Sequence, residues 1–361
     1  MLLASWSASV ITSDGHGALR LHGEFLSSVL ARFDEVSMRR RTLTRLVAGA
    51  SLWPVVAHAQ VNAEAPKLGF VYPGPKEAAA GRVDALVGGL RAFGYAVPQL
   101  ELVVRVAEGD PARIAPMVAE VMQKRVAAIM AVGRPVLEAV RAATIDIPIV
   151  AVDLESDPVA SGFADSIARP GHNLTGVFLD FPDFAAKLLQ LLVESAPGMQ
   201  RIAVLWDPTT GPLQNDSVKR AAAALKLQID VIEVRVRDDF ERAFTRASQN
   251  RAEALLMLSS PLISVNVKTL ADLALKHRLP SITPFPDFAR TGGLLAYGPN
   301  LLGMFRQSGV LVGKVLRGRD PADLPIERPS KFEFVLNSKT AEAMGIAIPP
   351  ALLQRADEVI E

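Results

Sequence analysis

The 361-residue chain contains no cysteine, which excludes disulfides, thiolate zinc sites, cysteine nucleophiles and a lipid-modified N-terminal cysteine. Histidine is scarce, and His58, His172 and His277 are too scattered to make a metal pair. An excess of one charge is also missing: 39 Lys and Arg stand against 38 Asp and Glu, with no basic stripe of the kind that binds nucleic acid by counterion release. No nucleic-acid partner is expected. Half of the residues are apolar, yet no run approaches the ~20 needed to cross a bilayer, so the mature chain is not expected to span a membrane. Enzyme signatures are lacking as well. No G-x-G-x-x-G follows a strand-like run in the mature part, and no G-x-S-x-G occurs. Gly309-Val-Leu-Val-Gly-Lys314 is one residue short of a phosphate loop and is followed by Val315 instead of a hydroxyl, so it reads as helix. The chain reads as a non-enzyme without a cofactor or metal.

What is present is a repeated punctuation. Six apolar, strand-like runs stop at a short polar or glycine-containing segment with a proline in it, ending at Pro75, Pro135, Pro158, Pro208, Pro261 and Pro286. A continuous apolar run is what a parallel strand buried on both faces requires. Asp, Ser or Gly followed by Pro is a helix cap with a preset first residue. The pattern therefore spells strand, turn, helix, repeated, and ligands of open α/β sheets bind outside the carboxyl ends of such strands.

Residues 38–45 form a positive segment, 46–57 a short apolar one, and Ala57-His-Ala59 a small-residue cleavage site before Gln60. This order predicts a signal peptide over 38–59 and a periplasmic location, with the export route left open between the general and twin-arginine pathways. Residues 1–37 read as an over-extended start or a disordered leader. Residues 60–361 exceed what one hydrophobic core usually spans, so two domains are expected.

In the first lobe, strands are predicted at 67–72, 100–106, 127–132, 149–154 and 174–179, with helices at 78–93, 111–124 and 135–143. A second set has strands at 201–206, 229–235, 254–258 and 281–283, with helices at 216–225, 239–250 and 264–276. One more strand over 292–298, a helix from about 300 to 317 and an alternating, edge-like strand at 332–337 complete the chain. The expected fold class is α/β, two doubly wound parallel-sheet lobes with a cleft between facing strand ends. The first lobe covers 66–178 with about 292–322 returning to it, and the second 179–291 with about 328–361 returning.

Four motifs are also familiar: Arg169-Pro-Gly-His-Asn-Leu-Thr-Gly176, Gly292-Gly-Leu-Leu-Ala-Tyr-Gly-Pro-Asn300, Pro329-Ser-Lys-Phe-Glu-Phe-Val-Leu-Asn337 and the segment from Ile348 to Glu361. With them the chain resembles the ABC-transporter substrate-binding proteins of the tryptophan/tyrosine type. The resemblance implies a type I periplasmic binding protein, a hinge of three crossings, a monomer, and delivery of an amino acid or related small molecule to ABC permease and ATPase subunits. His172 stands where Gly is common in that family and Ala296 where Ser is common.

Candidate ligand contacts follow from the strand ends. Asp153-Leu-Glu-Ser-Asp157 offers Asp153 or Asp157 to a ligand ammonium, or Asp157 as the cap of a helix opened by Pro158. Gly74 and Gly133 let backbone approach a ligand, and Arg134 can clamp a carboxylate or lie on the rim. Asp207, Ser259 and Ser260 occupy the equivalent turns of the second lobe, where capping alone explains Asp207 and Ser260 equally well. Phe285 and Tyr297 are rings beside strand ends, suited to stacking on a ligand or to the core. An enzyme on the same scaffold and the sensing half of a regulator are the competing readings; the first lacks a nucleophile or cofactor loop, the second a DNA-binding segment.

Overall fold

The computed structural model describes residues 65–95, 100–179 and 181–361. The leader and signal segment expected over 1–59 lie outside them. Lobe one is built from β1 (Lys67–Tyr72), α1 (Lys76–Ala92), β2 (Glu101–Val106), α2 (Ile114–Gln123), β3 (Ala128–Val132), α3 (Arg134–Ala143), β4 (Ile149–Asp153) and β5 (Leu174–Phe178). Its sheet runs β2-β1-β3-β4-β5, all parallel. Every residue of β3 and β4 is buried, as strands covered by helices on both faces must be.

Lobe two starts with α4 (Phe181–Ser195), β6 (Arg201–Trp206), α5 (Leu213–Ala224), β7 (Gln228–Glu233), α6 (Asp239–Gln249) and β8 (Ala254–Met257). It continues through α7 (Pro261–Val265), α8 (Val267–Lys276), β9 (Ser281–Thr283), α9 (Pro286–Arg290) and β10 (Leu295–Pro299). The chain then supplies α10 (Leu301–Leu316), β11 (Phe332–Asn337), α11 (Ser338–Met344), α12 (Pro350–Leu353) and β12 (Glu358–Ile360). The second sheet has the order β12-β11-β10-β9-β8-β6-β7, with β11 antiparallel to β10.

The predicted turn chemistry is present. Ser260 accepts the Ile263 N–H at 3.0 Å ahead of Pro261, and Asp207 accepts the Thr209 N–H at 3.0 Å ahead of Pro208. The helix expected over 264–276 is interrupted at Asn266, whose side chain donates to the Leu262 carbonyl at 2.8 Å and closes α7.

Three placements differ from the sequence reading. The strand near 292–298 was expected to return to lobe one, but β10 pairs with β9 in the second sheet, and the return begins with α10, which packs on α1, β4 and β5. The strand at 332–337 is interior, not an edge, with β10 on one side and β12 on the other. Its apparent solvent face misled because its polar residues are buried in polar company. Glu333 meets Arg290 at 2.8 Å and Asn300 at 2.5 Å, and Asn337 caps α11 through the Thr340 N–H at 2.9 Å. The short strand β12 was not expected at all.

The chain passes between lobes three times: after β5, between β10 and α10, and ahead of β11. At the third passage Glu327 bridges to Val177 in parallel. The α1 and α10 backbones touch through glycines. A Cβ on Gly89 would fall 1.9 Å from the Arg306 carbonyl oxygen, and one on Gly309 would fall 2.2 Å from that of Leu86. This close approach explains Gly309 of the segment that resembled a phosphate loop, while Gly313 makes room for the Phe93 ring, 2.5 Å from where a Cβ would stand.

Candidate functional site

The carboxyl ends of β1, β3 and β4 face those of β8 and β9, and between them lies a narrow inner cavity of about 40 Å³. Lobe one contributes Tyr72 and Pro73 from the end of β1, Arg82 from α1, Gly133 from the end of β3, and Leu154 and Glu155 after β4. Lobe two contributes Ser260, Pro261, Ser264 and Phe285; Leu301 and Phe305 of α10 complete the wall. Pro73 and Pro261 also border a wider outer chamber of about 380 Å³, whose rim carries Gly74, Glu108, Asp207, Arg235 and Arg237.

The lobes touch across this cleft. The Ser259 hydroxyl donates to Glu155 Oε1 at 2.8 Å. Gly133 sits at φ +75°, a conformation glycine adopts without strain, and a Cβ there would stand 3.2 Å from Pro261 Cγ. Arg134 points away from both cavities: its guanidinium pairs with Glu138 at 2.8 Å and lies against Gly211 of lobe two. Only its backbone turns inward, the N–H reaching Glu155 Oε2 at 3.4 Å.

The polar groups of the inner cavity divide by charge. The Arg82 guanidinium lies 5.0 Å from the Tyr72 ring centre and 6.0 Å from that of Phe305, a cation over two aromatic faces. The Tyr72 hydroxyl is buried without a partner, and burial raises its pKa against the opposing pull of Arg82. On the acidic side, burial first and the neighbouring Asp153 second push the Glu155 carboxyl well above the usual carboxylate range. Asp153 Oδ1 accepts the Glu155 N–H at 2.8 Å. Burial also raises Asp207, opposed by the hydrogen bonds from Thr209.

Of the residues expected from sequence, the structure brings Gly74, Gly133, Asp207, Ser260 and Phe285 to the cleft lining, with Asp153 and Ser259 in contact with Glu155 just behind it. Asp157 is elsewhere: its Oδ1 accepts the N–H groups of Val159 and Ala160 at 2.8 and 3.0 Å, which closes a turn, and the helix expected to open at Pro158 does not form. Tyr297 is also elsewhere. It stacks on Phe184 and Phe332 at the crossings, with centroids 5.4 and 5.9 Å away, because β10 belongs to the second sheet. His172 is exposed on the surface beside Asp165, and Ala296 is buried in β10, so neither family departure touches the cleft. Tyr72, Arg82, Glu155, Leu301 and Phe305 were missed. Tyr72 and Glu155 adjoin strand ends and were within reach of the rule that found Gly74; Arg82 and Phe305 sit inside helices and carry no local signal.

A family model described as ABC transporter substrate binding protein matches residues 75–360. The chain belongs to this family. A tyrosine-binding protein of Clostridioides difficile (strain R20291) is 23% identical over 222 residues, 60% of this chain and 63% of that relative, so the alignment spans less than two thirds of the relative's length. Two solved structures share the architecture of this substrate-binding protein. The ABC domain from Streptococcus pneumonia in complex with L-Trp has a TM-score of 0.75 at 22% identity, over 82% of this chain and 99% of the other. A conserved domain protein from Vibrio cholerae has a TM-score of 0.76 at 22% identity, over 82% and 100%. The likeness is one of fold: two α/β lobes, the first sheet all parallel and the second parallel except between β10 and β11. Among the described residues no helix is long and apolar enough to cross a membrane.

Proposed function

We propose that this chain is the extracytoplasmic solute-binding component of an ABC importer, closing its lobes on an amino acid or related small molecule, aromatic ones included, and delivering it to permease and ATPase subunits. One observation carries the choice of ligand: a single interlobe cavity holds the Arg82 cation, the buried Glu155 carboxyl with Asp153 against it, and the rings of Tyr72, Phe285 and Phe305. A guanidinium suits the carboxylate of a zwitterion, a carboxylate its ammonium, and the rings an apolar side chain. The tyrosine-binding relative and the L-Trp complex support an aromatic amino acid. The Arg-rich segment at 38–45 with its apolar continuation supports export with cleavage before Gln60.

A thermal-shift screen of the chain from Gln60 onward, against amino acids, aromatic acids, sugars, nucleosides and polyamines, tests this reading. A ligand that binds only the native state raises the midpoint by mass action, and amino acids are the class expected to do so. A shift confined to sugars or nucleosides would refute the ligand class. N-terminal sequencing of the exported protein should begin at Gln60.

A further inference from the structure

The acidic turn after β4 has a feature that zwitterion recognition alone does not need. Glu155 is 3% exposed and Asp153 0%, and Asp153 Oδ2 is buried without a partner. Around them, Arg134 offers only its N–H, and its guanidinium is turned to Glu138. Arg82 of α1 lies over Tyr72 and Phe305. From lobe two come the Ser259 hydroxyl and, one residue on, Ser260, which interacts with Asp207. Among the described residues no cationic side chain forms an ion pair with either Asp153 or Glu155. Ser259 itself is fixed: its N–H donates to Gln214 Oε1 at 2.9 Å and its carbonyl accepts from Gln214 Nε2 at 2.8 Å.

Two neighbouring carboxyls, both buried and neither paired with a cation, cannot both be ionised at modest cost. We propose that Glu155, buried against Asp153, holds a proton in the empty cleft and exchanges it for the ammonium of the solute, so that capture releases a proton to solvent and strengthens as pH rises. The exchange rests on the amino-acid reading above. One carboxyl O–H bond breaks, its proton passes to water or buffer, and the ammonium takes over the neutralising charge. Ser259 then donates to a carboxylate instead of a carboxylic acid, so the interlobe hydrogen bond becomes charge-assisted and shorter on binding.

Two measurements on the full chain decide the matter. Infrared difference spectra of the ligand-free protein at neutral pH should contain the carbonyl band of a protonated carboxylic acid, lost in Glu155→Gln. Calorimetry with L-tyrosine and L-tryptophan as probes, in two buffers of different ionisation enthalpy, should show close to one proton released per ligand. Affinity should then rise up to tenfold per pH unit where Glu155 titrates. In Glu155→Gln, the pH slope and the buffer dependence should both vanish from the binding that remains. A ligand-free spectrum without the acid band, or probe binding with no buffer dependence, would overturn the exchange while leaving the ligand class intact. Silence from every amino acid at every pH would overturn the ligand class and the exchange together. Both wild-type measurements decide the proposal even if the variant does not fold.

Discussion

Burial of Glu155 beside Asp153 affects the free protein as well as its ligand complex. Burial and the neighbouring Asp153 hold the native Glu155 carboxyl above the ordinary glutamate pKa of about 4.3 that it has in the unfolded chain. Native protein therefore binds more protons than unfolded protein between that value and the raised native one. Stability must fall as pH climbs through this window, by up to about 1.4 kcal/mol per pH unit. Thermal melts of the ligand-free chain across that range should show the decline, and Glu155→Gln, which is neutral throughout, should flatten it. Arg82 gives a second prediction at this scale. If its guanidinium receives the ligand carboxylate, Arg82→Met should weaken amino-acid binding roughly tenfold to a hundredfold, the effect of losing a charge-assisted hydrogen bond of about 1.5–3 kcal/mol. Tyramine, which has the ring and ammonium but no carboxylate, should be affected far less in the same titration. Asp207 and Ser260 were legible as caps because Asp-Pro and Ser-Pro are local chemistry. Arg82 was not, since only the docking of α1 on the sheet turns that helical position toward the cleft.

At the scale of elements, most strands were legible and four of them to the residue: 67–72, 201–206, 281–283 and 332–337 are the bounds of β1, β6, β9 and β11. The reason is physical, since parallel strands buried on both faces leave unbroken apolar runs bounded by capping turns. The misplacement of β11 as an edge has one cause: its buried Glu333, paired with Arg290 at 2.8 Å, looks from sequence like part of a solvent face, while β12 is three half-buried residues with little pattern to read. The contact of α1 with α10 supplies a paired prediction. Gly309→Ala puts a methyl 2.2 Å from the Leu86 carbonyl oxygen, and such overpacking should cost about 1–3 kcal/mol in denaturant unfolding. Gly88→Ala, one position from the contact and 3.9 Å from its nearest neighbour Arg306 Nε, should instead gain up to about 1 kcal/mol from helix propensity.

For the whole molecule, the Glu155–Ser259 hydrogen bond joins two bodies linked by three passages of chain. Ser259→Ala removes it, and the ligand-free protein should spend more time open, with a larger radius of gyration in solution scattering. Ligand affinity should fall roughly threefold to tenfold, the measure of a hydrogen bond of about 1 kcal/mol. The order in which the chain visits its lobes has a further consequence. Lobe one lacks α10 until Leu316 has been made, and the second sheet lacks β11 and β12 until Asn337 and Ile360 have followed. Domains that fold during synthesis do so as each becomes complete. Here neither half is whole until the ribosome is nearly finished, so a growing chain stays slack for most of its synthesis, the state that a membrane translocon can thread.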